Sequence, residues 1–206
     1  MAAATEQPTH QLNHVELVYR PGERELTKRV FELLGCRTMD RGGPVLTAFI
    51  DPSSSDFTNN CCYASEATPE QLALEDALAS AMNGDGAVAS ESRAYLDRLR
   101  REPQTAFHFG VRYPELADLE AAVERIRLAG ESDPDLEGRV GVSGVFYPGG
   151  PGSITDAMVQ AFVHTDVVAA GLLAFGQHVE LQWQGAPGPE RPGAGGAKSG
   201  NVARRG

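Results

Sequence analysis

Positive charge is in short supply in this chain: 18 Lys and Arg face 28 Asp and Glu, for a net charge of −10. A surface of that sign repels a polyanion, which argues against nucleic acid as a partner unless one face is locally basic. The groupings Arg98, Arg100, Arg101 and Arg204-Arg205 are too small to reverse the balance. Nor does any apolar run approach the ~18 residues of a membrane-spanning helix. Cysteine is scarce as well. Cys36 and the adjacent Cys61 and Cys62 form neither an even disulfide framework nor a zinc-knuckle spacing. The opening residues lack the basic and apolar regions of a secretory signal. These absences lead to the expectation of a reduced, cytoplasmic protein, monomer or homodimer, that handles a small molecule without nucleic acid or membrane.

What the chain does contain is a repeat. His14-Val15-Glu16-Leu17-Val18-Tyr19 and His108-Phe109-Gly110-Val111-Arg112-Tyr113 have the same opening and close. Each is followed by an amphipathic stretch that reaches a glycine, Gly35 or Gly130, after nearly equal spans. The apolar positions Leu26, Val30, Phe31, Leu33 and Leu34 predict the first helix. Glycine in the left-handed conformation is expected to end both helices. Strands are predicted at Cys36–Asp40, Val45–Asp51 and Asn60–Glu66 in the first half, and near Val140–Tyr147, Met158–His164 and His178–Trp183 in the second.

Between the halves, Thr68-Pro69-Glu70-Gln71 starts a helix, with threonine at the cap and proline at the first helical position. A second helix is predicted over Val88–Arg100. The expected plan is therefore α+β: two βαβββ modules forming a pseudo-twofold cleft, with a helical insert between them. The boundaries are 11–67 for the first module, 68–104 for the insert, 105–184 for the second module and 185–206 for a disordered Gly/Pro-rich tail.

Strand alternation sorts the side chains. Val15, Leu17 and Tyr19 share one face, opposite His14, Glu16 and Val18. Phe107, Phe109 and Val111 oppose His108, Gly110 and Arg112. Val179, Leu181 and Trp183 oppose His178, Glu180 and Gln182. Three strands thus each pair an apolar face with an imidazole or carboxylate on the other side. Two imidazoles and one carboxylate can hold a divalent ion and leave positions open for substrate. The candidate ligands are His14, His108 and Glu180.

This order and spacing resemble the vicinal oxygen chelate superfamily, which includes glyoxalase I, extradiol dioxygenases, fosfomycin-resistance enzymes and bleomycin-binding proteins. The resemblance covers residues 11–184 apart from the insert. It implies a metal at His14, His108 and Glu180, with Fe(II) favoured over Ni, Zn or Mn, and dioxygenase-like chemistry on a small oxygen-chelating substrate. A fourth ligand at Glu66, as in glyoxalase-type members, would instead imply a glyoxalase-like isomerase or lyase. His178 is a candidate general base, and Arg112 a candidate partner for a substrate carboxylate. An ordinary strand-edge role for His178 and a salt bridge from Arg112 to Glu16 are the competing readings, while His164 reads as a turn residue. Gly149-Gly150-Pro151-Gly152 lacks the lysine and following helix of a phosphate loop, so it is not read as one, and no cofactor-binding residues are assigned beyond the metal ligands. The alternative from a different class is a metal-free small-molecule binding or antibiotic-resistance protein on the same scaffold.

Overall fold

The computed structural model describes residues 12–185. The expected looseness of residues 1–10 and the expected disordered tail lie outside the described residues, save Gly185. Residues 12–185 form an α+β fold with two mixed sheets and four α-helices.

The chain opens with β1 (His14–Tyr19) and turns at Pro21-Gly22. It then enters α1 (Arg24–Leu33). Gly35 ends this helix at φ +82, and the amide of Cys36 returns to the carbonyl of Phe31 at 2.9 Å. That is the left-handed closure the glycine predicts. Next come β2 (Arg37–Met39), β3 (Val45–Phe49) and β4 (Cys61–Glu66). The insert supplies α2 (Pro69–Asn83) and α3 (Ala87–Arg101). Thr68 caps α2, its hydroxyl accepting from the amide of Gln71 at 3.3 Å. After a 3-10 turn at Pro103–Thr105, the second half runs β5 (His108–Arg112), α4 (Leu116–Ser132), β6 (Val140–Phe146) and β7 (Met158–Thr165). It closes with β8 (Val168–Ala169), a 3-10 turn at Leu173–Phe175, and β9 (Gln177–Gln184).

The first sheet has the order β2-β3-β4-β1-β8 and the second β5-β9-β7-β6. In each, the opening strand of the half pairs in parallel with the last, β1 with β4 and β5 with β9, while the other pairs are antiparallel. The short β8 is absent from the sequence reading. It comes from the second half yet pairs with Val18 and Tyr19 on the edge of the first sheet.

The apolar faces fall as alternation requires. Leu17 and Tyr19 are buried together with Val30, Phe31 and Leu34 of the first half, and Val111, Val179 and Leu181 together with Leu119, Ala122 and Ile126 of α4. All belong to one core cluster. Each such large side chain contributes about 1.5–3 kcal/mol when fully removed from water. The halves are further tied by Tyr113, whose hydroxyl donates to the carbonyl of Leu34. Arg139 also joins them, bridging Glu23 at 2.7 Å and Asp166 at 2.9 Å.

Gly130 differs from expectation. The helix continues through it to Ser132. A Cβ at this position would stand 2.2 Å from the carbonyl oxygen of Val140. The glycine lets α4 lie directly on the start of β6; it does not end the helix. Both adjacent cysteines, Cys61 and Cys62, are buried, although alternation sends them to opposite faces. Burial pushes the Cys62 thiol up, so neither chemistry nor position makes it a nucleophile.

Candidate functional site on the second sheet

The register of the second sheet determines which side chains share its polar face. His108, Gly110 and Arg112 of β5 stand opposite His178, Glu180 and Gln182 of β9. The same β9 residues stand opposite His164, Phe162 and Gln160 of β7. Three histidines therefore form one row across three neighbouring strands, with Glu180 one step along.

His108 and Glu180 meet: imidazole Nε2 lies 3.2 Å from carboxylate Oε2. The other ring nitrogen, Nδ1, sits 2.8 Å from the carbonyl of Ala106, and the ring stands edge-on to Phe162. A carbonyl only accepts, so this contact puts the proton on Nδ1 and leaves Nε2 donating to Glu180 only if the ring is charged. Glu180 is 4% exposed and also accepts from the side-chain amide of Gln160. The imidazole keeps partial access to solvent, so the pair can be reached from outside.

Two polar atoms beside this pair have no partner. Gln160 Oε1 and His178 Nε2 are buried without a hydrogen bond. Such atoms are uncommon in native folds, because each forfeits about 1–3 kcal/mol of solvation. Burial, with additional repulsion from His164, His108 and Arg100, holds His178 down to about 4, so it is neutral at pH 7. His164 is lowered too, chiefly by burial. It is no turn residue; its ring points onto the polar face, with Nδ1 3.1 Å from the hydroxyl of Ser143.

The first sheet carries the remaining expected ligand differently. His14 is exposed at the start of β1, with Nδ1 2.6 Å from Asn13 Oδ1 and the ring tilted against Tyr63. Glu66 is exposed, and alternation along β4 puts it with Cys62 and Ala64 on the helix-facing side, opposite the face of His14. Arg112 is exposed and lines a separate hollow with Leu34, Asp118 and Arg125, without a salt bridge to Glu16.

The structure thus brings together His108 and Glu180, sets His178 beside them, and leaves His14, Glu66 and Arg112 elsewhere. Among the described residues no group of three His, Cys, Asp or Glu side chains comes together as a metal site. As placed, the donors do not fit the three-ligand centre that the resemblance implies. Gln160, Phe162 and Ser143 were missed in the sequence. The signal for the first two was available, since Val159, Ala161 and Val163 alternate with Gln160, Phe162 and His164. Ser143 sits at an irregularity in the β6–β7 register, between Val142 and Gly144, which no periodicity reports.

Among the described residues no helix is long and apolar enough to cross a membrane. Comparison of the chain with protein-family models, with curated proteins and with solved structures returns no match.

Proposed function

We propose that this chain binds a small molecule over the polar face of its second sheet, on a scaffold of two βαβββ modules like that of the vicinal oxygen chelate superfamily. The module reading is supported by strand order. β1, β4, β3 and β2 lie side by side in one sheet, and β5, β9, β7 and β6 repeat that arrangement in the other. One observation carries the binding reading: a buried, partly reachable His108–Glu180 contact is flanked by two polar atoms with no protein partner. Burying such groups costs free energy that a bound molecule with polar atoms of its own would return.

A metal-dependent, dioxygenase-like enzyme is the second reading. It is favoured by the direct approach of His108 to Glu180, two of the three side chains the resemblance assigns to a divalent ion. It requires His14 to leave Asn13 and Tyr63 and join them. The two readings separate in one experiment. Purified protein is titrated anaerobically with Fe(II), Ni, Zn and Mn, alongside His14→Ala and Glu180→Ala, and is also screened against a small-molecule library by thermal shift. The binding reading expects organic ligands that stabilise the protein without added metal and lose that effect in Glu180→Ala. Stoichiometric iron that is lost in both variants would replace it with the enzyme reading.

A further inference from the structure

The insert has no counterpart in the second half, yet it closes on the polar face described above. α2 is fastened to the 3-10 turn Leu173–Phe175 by Glu75. This buried carboxylate accepts from the amides of Leu173 and Ala174, each at 2.8 Å. α3 rests chiefly on α2 and on the turn at Pro103–Thr105, and Ala89 and Leu99 are its buried residues. Beneath it is a hollow of 380 Å³, within the range of small-molecule sites.

The walls of this hollow are Tyr95, Leu99, Phe107, Leu172, Phe175 and His178, with no charged side chain among the lining residues. Tyr95 meets Phe175 edge-on with ring centroids 6.1 Å apart, making an aromatic corner. Phe107 is 67% exposed at the mouth, and Tyr95 is also exposed. Both line the same hollow, so the exposed aromatic surface is continuous with its walls. A second hollow of 210 Å³ shares Leu99, Phe175, Gly176 and His178, so His178 stands where the two meet. Its Nε2 is the unpartnered atom already described, in a residue 6% exposed.

Apolar, aromatic walls with no ion select a flat uncharged ring system. The imidazole of His178 in the wall selects one polar group on that ring. A hydroxyl suits it whichever ring nitrogen carries the proton, because a hydroxyl both donates and accepts. We infer that α3 roofs a pocket for an uncharged bicyclic aromatic bearing a single hydroxyl, with the His178 imidazole as its polar anchor and Leu99 and Phe107 as its walls. This rests on the reading that the polar face of the second sheet is the binding face, and it gives that face a ligand class.

The probe is 2-naphthol, followed by its own fluorescence, with naphthalene as the partner lacking the hydroxyl. Wild type is expected to bind 2-naphthol saturably with one-to-one stoichiometry, and naphthalene about tenfold more weakly, the worth of one buried hydrogen bond. His178→Phe keeps a flat aromatic ring but removes its nitrogens, and should weaken 2-naphthol about tenfold while leaving naphthalene bound. Leu99→Trp should abolish both, with circular dichroism confirming the fold. Phe107→Ala, at an exposed position where unfolding is not at issue, should weaken both about threefold. No saturable binding to wild type, or 2-naphthol binding that His178→Phe leaves intact, overturns the pocket. If library ligands that depend on Glu180 still bind when 2-naphthol does not, the pocket falls and the proposed function stands. If 2-naphthol binds as expected and no ligand depends on Glu180, the anchor role of His108 and Glu180 falls and the pocket stands.

Discussion

The two sheets carry similar polar residues and hold them under opposite conditions. On the first, His14 and Glu16 stand exposed, and His14 is satisfied by its own neighbour Asn13. On the second, His108, Glu180, Gln160, His178 and His164 are half-buried or buried and touch one another across strands. Duplication of a motif therefore did not duplicate its environment. The difference traces to what covers each face. The insert folds back over the second sheet through Glu75 and Leu99, whereas on the polar face of β1 His14 stays exposed beside the ring of Tyr63. Burial of His178 and His164 disfavours their charged forms and fixes the geometry of their rings.

The two helix glycines give the sharpest contrast between the halves and the largest expected effect. Gly130→Ala places a Cβ against the Val140 carbonyl and must lift α4 from β6. It is expected to cost about 3 kcal/mol in urea unfolding. Gly35→Ala strains a left-handed residue beside the Tyr113 hydroxyl and should cost about 1–2 kcal/mol. Equal losses at the two sites would mean that the halves share one packing constraint after all.

Carboxylate removal comes next. Glu180→Ala leaves the buried Gln160 amide without its acceptor and His108 without its carboxylate contact, and should cost about 2–3 kcal/mol. Glu16→Ala, at the exposed position on the first sheet, should stay within about 0.5 kcal/mol. A Glu16 effect as large as that of Glu180 would break the distinction between the two faces.

The pH dependence of stability follows from the covered histidine. His178 is held near 4, below the ordinary histidine value of about 6.5, so the unfolded chain binds its proton more readily. Its contribution is fully present above pH 6.5 and is lost as pH falls through about 4. His164, also lowered, acts in the same direction. The melting temperature should therefore decline between pH 6.5 and 4, and His178→Phe should flatten that decline. A slope unchanged in the variant would show that His178 does not carry it. The smallest effect is expected at His14, where alanine should shift stability by less than about 0.5 kcal/mol because only an exposed contact is lost.

Much of the fold was legible in the residues. The alternation of Val15, Leu17 and Tyr19 and of Val179, Leu181 and Trp183 predicted the core faces, and the structure packs most of these residues there. Thr68-Pro69 and Gly35 marked a helix start and a helix end that the backbone confirms. These signals are local, carried by one residue's conformational preference or by a period of two. β8 was not legible, because two residues have no period and their pairing with β1 arises from a chain crossing between halves. The end of α4 was misread for a related reason. A glycine required by contact with a strand looks the same in sequence as one required by its own backbone angle.

The site divides along the same line. Local alternation by itself put His178 and Glu180 on one face of β9 and set His108 opposite the apolar side chains of β5; that these faces coincide follows from the pairing of β5 with β9. Which of the expected ligands meet was decided only by the packing of the two sheets and the insert. Tertiary packing set His108 against Glu180, kept His14 with Asn13, and buried His178 Nε2 without a partner. Distance between residues far apart in the chain depends on how whole layers are stacked, and no short-range pattern encodes it.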